Sequence, residues 1–238
     1  MRVDILFIWN PSTRISTTFV APPSWRCKKV YGFAYDKATN DYKVVAVSIN
    51  EKKSVKIYSL KTGNWKHIGD FPQGYLLNVS GVFLNGYLHW MATHRGATRL
   101  NYPCTIVSLN LANETYGEVS QPVYDEDDKV LTLGALGEWL CVFCNYRLVT
   151  RADISVMKVY GVQDSWTKLV SVSYPFNFDS PHYLSFFISN DGTILLQSRW
   201  DLVVCYSNHG SSSKIKYFDR CDYATTFVES LVSSYVTS

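Results

Sequence analysis

A chain of 238 residues, 47% of them hydrophobic, can bury a sizeable core as one large domain or two small ones. Tyr (17), Phe (12) and Trp (7) are abundant, and no long Ala/Leu/Glu/Lys stretch carries a helical period, so strands are favoured over helices. The net charge of +3 comes without a long Lys/Arg run, which argues against a nucleic-acid surface, and Arg26-Cys27-Lys28-Lys29 reads as a solvated loop.

The apolar run Ile5 to Trp9 stops at Asn10-Pro11, too early for a signal peptide. Nothing later approaches the roughly 18 apolar residues of a spanning helix. The first predicted element is an outer hairpin over 6–23, LFIWNPSTRISTTFVAPP, whose inner hairpin is missing. Alternating β-branched and aromatic residues then mark a hairpin over 31–47, YGFAYDKATNDYKVVAV, and another over 54–68, SVKIYSLKTGNWKHI. Further hairpins follow at 80–92, SGVFLNGYLHWMA, and 105–119, TIVSLNLANETYGEV. The next are 131–143, LTLGALGEWLCVF, and 154–169, ISVMKVYGVQDSWTKL. The last are LSFFISNDGTILLQS (184–198) and the pair LVVCY/KIKYFDR (202–220), with ATTFVESLV (224–232) as a final strand. Asn85-Gly86, Gly137-Glu138 and Asp191-Gly192 have the chemistry of tight two-residue turns.

An aromatic residue opens the return strand of every second hairpin: Trp65, Tyr116, Trp166 and Tyr217, at steps of 51, 50 and 51 residues. Two hairpins per period make four short antiparallel strands, the signature of a β-propeller blade. A lone four-stranded sheet has two apolar faces and buries them only against neighbours. A sandwich would need no such regular spacing. The fold class expected is therefore all-β, a β-propeller of about four complete blades (31–72, 80–122, 131–171 and 184–218) with fragments at both ends, leaving room for an incomplete ring. The recurring aromatics are read as packing between blades.

IWNPSTR, YGFAYDKATNDYKVVAV, VKIYSLKTGNWKHI, GVFLNGYLHWMA, IVSLNLANETYGEV and ISVMKVYGVQDSWTKL follow in an order that resembles the F-box-associated (type 1) region of plant F-box proteins, as in F-box/kelch-repeat and S-locus F-box proteins. The resemblance covers about residues 6–232. It implies one propeller domain over 1–238 without the N-terminal F-box that binds the Skp1 adaptor. It further implies a substrate-recognition module of an SCF (Skp1–cullin–F-box) ubiquitin ligase, with a protein substrate as partner and Skp1 only if an F-box lies upstream. A cytoplasmic or nuclear location with reduced thiols is expected, and neither a nucleic acid nor a membrane as partner.

Catalytic constellations are not found, so no enzyme activity and no cofactor or metal is expected. Cys141 and Cys144 have C-x-x-C spacing, but positions i and i+3 on a strand face opposite sides, and no second pair completes a zinc site. His89 and His94 are five apart with no glutamate between them, which fails the metalloprotease pattern and leaves His89 as a packed strand residue. Asp125 to Asp128 lacks the alternation of a calcium loop and reads as a solvated acidic loop. Two other readings stay open: a carbohydrate-binding or enzymatic propeller, and a truncated, non-functional F-box protein copy.

With strands A to D running up and down from the axis outward, the A–B and C–D turns lie on one rim, and the B–C loops and crossovers on the other. The second rim holds the longer segments 69–79, 94–104, 120–129, 145–153 and 171–182. Long loops on a rigid scaffold are where recognition resides. Their aromatics and arginines give the candidate partner contacts Arg95, Arg99, Tyr102, Tyr124, Arg147, Arg151, Phe176, Phe178, His182 and Trp200. Asp125 to Asp128 beside these arginines would give the face mixed charge.

Overall fold

The computed structural model describes residues 4–22, 29–49, 53–72, 74, 76–77, 80–93, 104–127, 129–146, 149, 151–173, 185–188, 193–197, 201–206 and 214–219. They divide at Phe71/Pro72 into two compact units.

The first unit opens with a two-stranded sheet, β1 (Ile5–Asn10) and β2 (Ile15–Val20). Its connection is shaped by Asn10, whose side-chain oxygen accepts the N–H groups of Ser12 and Thr13, a local turn bond that halts the strand. A four-stranded antiparallel meander follows: β3 (Lys29–Asp36), β4 (Asp41–Ser48), β5 (Ser54–Ser59) and β6 (Asn64–Asp70). Two aspartates organise it. Asp36 accepts the Ala38 N–H at 3.0 Å, the Thr39 hydroxyl at 2.6 Å and the Lys43 ammonium at 2.6 Å, closing the β3–β4 turn. Asp41 accepts the Ser59 hydroxyl and the Lys61 N–H, tying that hairpin to the β5–β6 turn. Phe19 of β2 stacks on Tyr58 of β5 with centroids 4.1 Å apart, and both rings tilt against Trp65 of β6.

The second unit holds three more meanders of the same order. They are β7 (Val82–Leu84), β8 (Tyr87–Thr93), β9 (Cys104–Asn110) and β10 (Tyr116–Val119); β11 (Lys129–Leu136), β12 (Trp139–Tyr146), β13 (Arg151–Met157) and β14 (Trp166–Ser173); and β15 (Ser185–Ile188), β16 (Thr193–Gln197), β17 (Asp201–Tyr206) and β18 (Lys214–Asp219). Asn85 and Gly86 both adopt positive φ (51° and 83°), the requirement of a type I′ turn, and Gly137 (56°) occupies the first central position of the β11–β12 turn. The expected Asp191-Gly192 turn lies outside the described residues. First strands sit together, β11 lying beside β7 on one side and β15 on the other. Just ahead of β7, Gly81 lets the buried Trp90 indole approach so closely that a Cβ there would lie 2.7 Å from the ring. The core between the second and third four-stranded sheets joins Leu84, Met91, Ile106 and Val119 to Leu131, Leu133, Leu140, Val142 and Met157.

Two expectations need correction. Trp65, Tyr116 and Trp166 do stand at the start of their outer strands, opposite Tyr58, Leu109 and Met157. Tyr217 does not: it pairs with Val203 in the middle of β18, because pairing resumes at Lys214, where the preceding connection ends. Equal steps in sequence are not equal places in a register set by hairpin length. Nor are the second-to-third-strand loops uniformly long. The strands of the third sheet extend into the expected loop and leave only 147–150, so apart from 94–103 it is the crossovers 71–81, 120–128 and 174–184 that carry the length.

Candidate functional site

Residues opposite one another in an antiparallel ladder share a face. In the third four-stranded sheet, the register of Tyr146 with Arg151, and of Cys144 with Asp153 and then Ser171, therefore puts these side chains on one side. That same side carries Leu131, Leu133 and Val142 onto the second sheet. The margin of this interface nearest the crossover 120–128 is charged, and the crossover itself supplies Asp125.

Asp153 lies at the bottom of the cluster with its side chain only 2% exposed. It accepts the Ser171 hydroxyl at 2.6 Å and faces the Lys168 ammonium at 2.8 Å and Arg151 Nε at 3.4 Å. A carboxylate this deep persists only when so compensated. Above it, one oxygen of Asp125 receives both Arg151 Nη2 at 2.7 Å and Lys168 Nζ at 2.9 Å. Arg151 also lies over the Tyr146 ring, 4.6 Å from its centroid, and the Tyr146 hydroxyl accepts the Asp125 N–H at 3.2 Å. Electrostatics follow the contacts. The Lys168 hydrogen bond, with the nearby Arg151 charge, holds the Asp125 carboxyl below its ordinary value. Bonds to Asp153 and Asp125 raise the Lys168 ammonium. Burial pushes the Tyr146 phenol up to about 12.

Of the ten candidate contacts, Tyr124 and Arg151 fall within the described residues, and the crossover brings them to the same margin. Tyr124 is half-buried against the core and its hydroxyl donates to Gln121 Oε1 at 2.7 Å. Gln121 in turn bonds the Cys104 carbonyl, and the Lys129 ammonium sits 4.9 Å from the Tyr124 ring centroid. Burial raises the Tyr124 phenol strongly. Its neighbour Val123 is 91% exposed. Arg95, Arg99, Tyr102, Arg147, Phe176, Phe178, His182 and Trp200 lie outside the described residues. Sequence reasoning missed Asp153, Lys168, Ser171 and Tyr146. A signal was present, since Asp153 interrupts an otherwise apolar Ala152–Ile154 stretch on a strand that must be buried on both faces.

The opposite margin of the interface is polar without charge. His89 Nδ1 lies 3.1 Å from the Val82 carbonyl, which can only accept, so Nδ1 carries the proton. Nε2 then accepts the Tyr160 hydroxyl at 2.6 Å. Burial drives the His89 pKa down to about 4, keeping the ring neutral, and lifts the Tyr160 phenol to about 12. Cys141 and Cys144 are buried on β12, with thiols raised to about 12 by the same cause. Among the described residues, no helix is long and apolar enough to cross a membrane.

Four four-stranded meanders, of which the second and third pack through the faces just described, set the frame for comparison with known proteins. Residues 3–238 match the family model of the F-box associated beta propeller domain. The chain belongs to that family. The four four-stranded sheets are blades of this propeller domain, and β1–β2 forms a separate two-stranded sheet. The domain is 32% identical over 217 residues to an F-box/kelch-repeat protein of Arabidopsis thaliana, covering 86% of this chain and 57% of that protein. It is 31% identical over 212 residues to the Arabidopsis F-box protein CPR1, covering 75% and 50%. The domain thus spans about half the length of the relatives it matches. Among solved structures, TolB from Acinetobacter baumannii aligns with 91% of this chain and 50% of its own, at TM-score 0.43 and 13% identity.

Proposed function

We propose that this propeller domain is a protein-interaction module that holds a substrate for an SCF-type ubiquitin ligase and performs no chemistry itself. Membership of the F-box associated family carries the reading, because the matched relatives are F-box and F-box/kelch-repeat proteins. The charged margin on the crossover side supports the same face as the place of contact. Arg151, Tyr124, Arg95, Arg99, Tyr102, Arg147, Phe176, Phe178, His182 and Trp200 are the proposed contacts. Skp1 binding belongs to an F-box and is not assigned to residues 3–238. The proposed compartment is cytoplasm or nucleus.

The test is affinity capture from plant extract with the wild-type chain and with a variant carrying Arg95→Ala, Arg147→Ala and Phe178→Ala. At least one protein should be recovered by the wild type and lost by the variant. It should also become ubiquitinated when the chain is joined to an F-box in a reconstituted ligase reaction. Equal recovery of every protein by both forms would remove this face as the contact surface.

A further inference from the structure

Arg151 and Lys168 reach the same point from different strands, and two cations brought so close repel unless something holds them. Asp153 does so from below. It is buried, bonded to Ser171, and placed 2.8 Å from Lys168 Nζ and 3.4 Å from Arg151 Nε. The Tyr146 ring supports the guanidinium from a further side. One buried negative charge faces two positive ones from below, and a second carboxylate of the chain meets them from the solvent side. Asp125 sits on the crossover, its side chain 48% exposed, with a single oxygen bridging both cations.

The two acids thus differ in kind. Asp153 is fixed in the interior, 2% exposed, and keeps its charge there through Ser171, Lys168 and Arg151. Asp125 is a surface carboxylate in solvent-screened pairs, which contribute little and exchange readily. Its own backbone N–H is fixed by Tyr146, so the side chain can swing out while the crossover stays in place. Two residues before it on the same crossover, Val123 projects almost wholly into water.

We propose that Arg151 and Lys168 form a two-pronged receptor for a carboxylate on an acidic segment of a protein partner, with Asp125 occupying it as a stand-in until that partner arrives. This rests on the interaction-module reading and specifies the partner's chemistry: acidic side chains flanked by an apolar residue able to cover Val123. An intramolecular competitor reduces apparent affinity by the fraction of receptors it fills. Removing its charge should therefore tighten binding rather than weaken it, the opposite of what a purely structural ion-pair network predicts.

The experiment titrates the whole chain with a fluorescent hexaglutamate peptide, with hexaglutamine as the uncharged control and inorganic phosphate as a separate arm. Wild type should bind hexaglutamate in preference to hexaglutamine. Asp125→Asn should bind it about two- to fivefold more tightly. Lys168→Gln should weaken it several-fold, Lys168→Arg should restore it, and Asp125→Asn with Lys168→Gln should bind no better than Lys168→Gln alone. The Asp125→Asn result decides even if a Lys168 variant folds poorly. Unchanged or weaker binding by Asp125→Asn overturns the proposal, as does binding of phosphate without hexaglutamate. Either result leaves the interaction-module reading standing if affinity capture still recovers a partner. A charge-dependent peptide response in a chain that captures no protein would end that reading instead.

Discussion

The Trp166 indole N–H donates to the Ser120 carbonyl at 2.7 Å, and Trp65 repeats the bond to Val20 at 2.9 Å. Each tryptophan opens an outer strand and reaches the end of the preceding sheet's outer strand, so one sequence signal encodes one latch used twice. Trp166→Phe keeps the ring but loses the donor and should cost about 1 kcal/mol in urea unfolding. Trp166→Ala also loses the packing and should cost roughly 3 kcal/mol. A Trp166→Phe variant as stable as wild type would deny the hydrogen bond any part.

His89 gives the stability a pH dependence whose sign is fixed by burial. Its folded pKa is depressed to about 4 from an ordinary 6.5, so its contribution is complete above pH 6.5, where both states are neutral. The contribution is lost as pH falls from 6.5 towards 4, where the unfolded chain takes up the proton first, for a total of roughly 3 kcal/mol. Urea midpoints measured across that range should fall more steeply for wild type than for His89→Gln. Parallel profiles would refute the buried neutral ring.

Asp36 and Lys43 form a buried pair at 2.6 Å, with side chains 4% and 10% exposed. Asp36→Ala takes away the carboxylate while leaving the ammonium in the interior, and should cost roughly 3 kcal/mol or more. Asp36→Leu with Lys43→Met should recover part of that loss, since the apolar pair leaves no buried charge, while the Ala38 N–H and the Thr39 hydroxyl still lose their acceptor. Thermal unfolding of the two variants checks both numbers.

Gly81→Ala places a methyl carbon 2.7 Å from the Trp90 ring, which is fully buried and has no room to yield. A loss of about 1–3 kcal/mol is expected, together with a change in tryptophan fluorescence. An unshifted spectrum and an unchanged midpoint would contradict the close approach.

The Cys141 and Cys144 thiols, raised to about 12 by burial, should resist iodoacetamide at pH 8 in the folded chain and react once it is unfolded. Mass spectrometry of the alkylated peptides separates them from the half-buried Cys104.

Blade order, the Asn85-Gly86 turn and the packing roles of Trp65 and Trp166 were legible in the sequence, because each depends on residues close along the chain or on a repeated spacing. Tyr217 was misplaced because spacing counts residues, whereas position in a sheet depends on where a connection ends. The Asp125–Lys168 pair spans 43 residues and joins a crossover to an outer strand, so no local pattern announces it. Asp153 was the one clue within reach, a charge where alternation demands apolar side chains.

Each meander satisfies its backbone within one contiguous stretch of chain, and the crossovers contribute little to that bookkeeping. A nascent chain can consequently pair the strands of one meander before the next is translated, leaving the faces to be covered when the neighbour follows, and insertions in 120–128 or 174–184 need disturb no strand. Gene duplication followed by drift in those segments would then vary the connections on an unaltered frame, with change confined to the rim while the sheets stay the same.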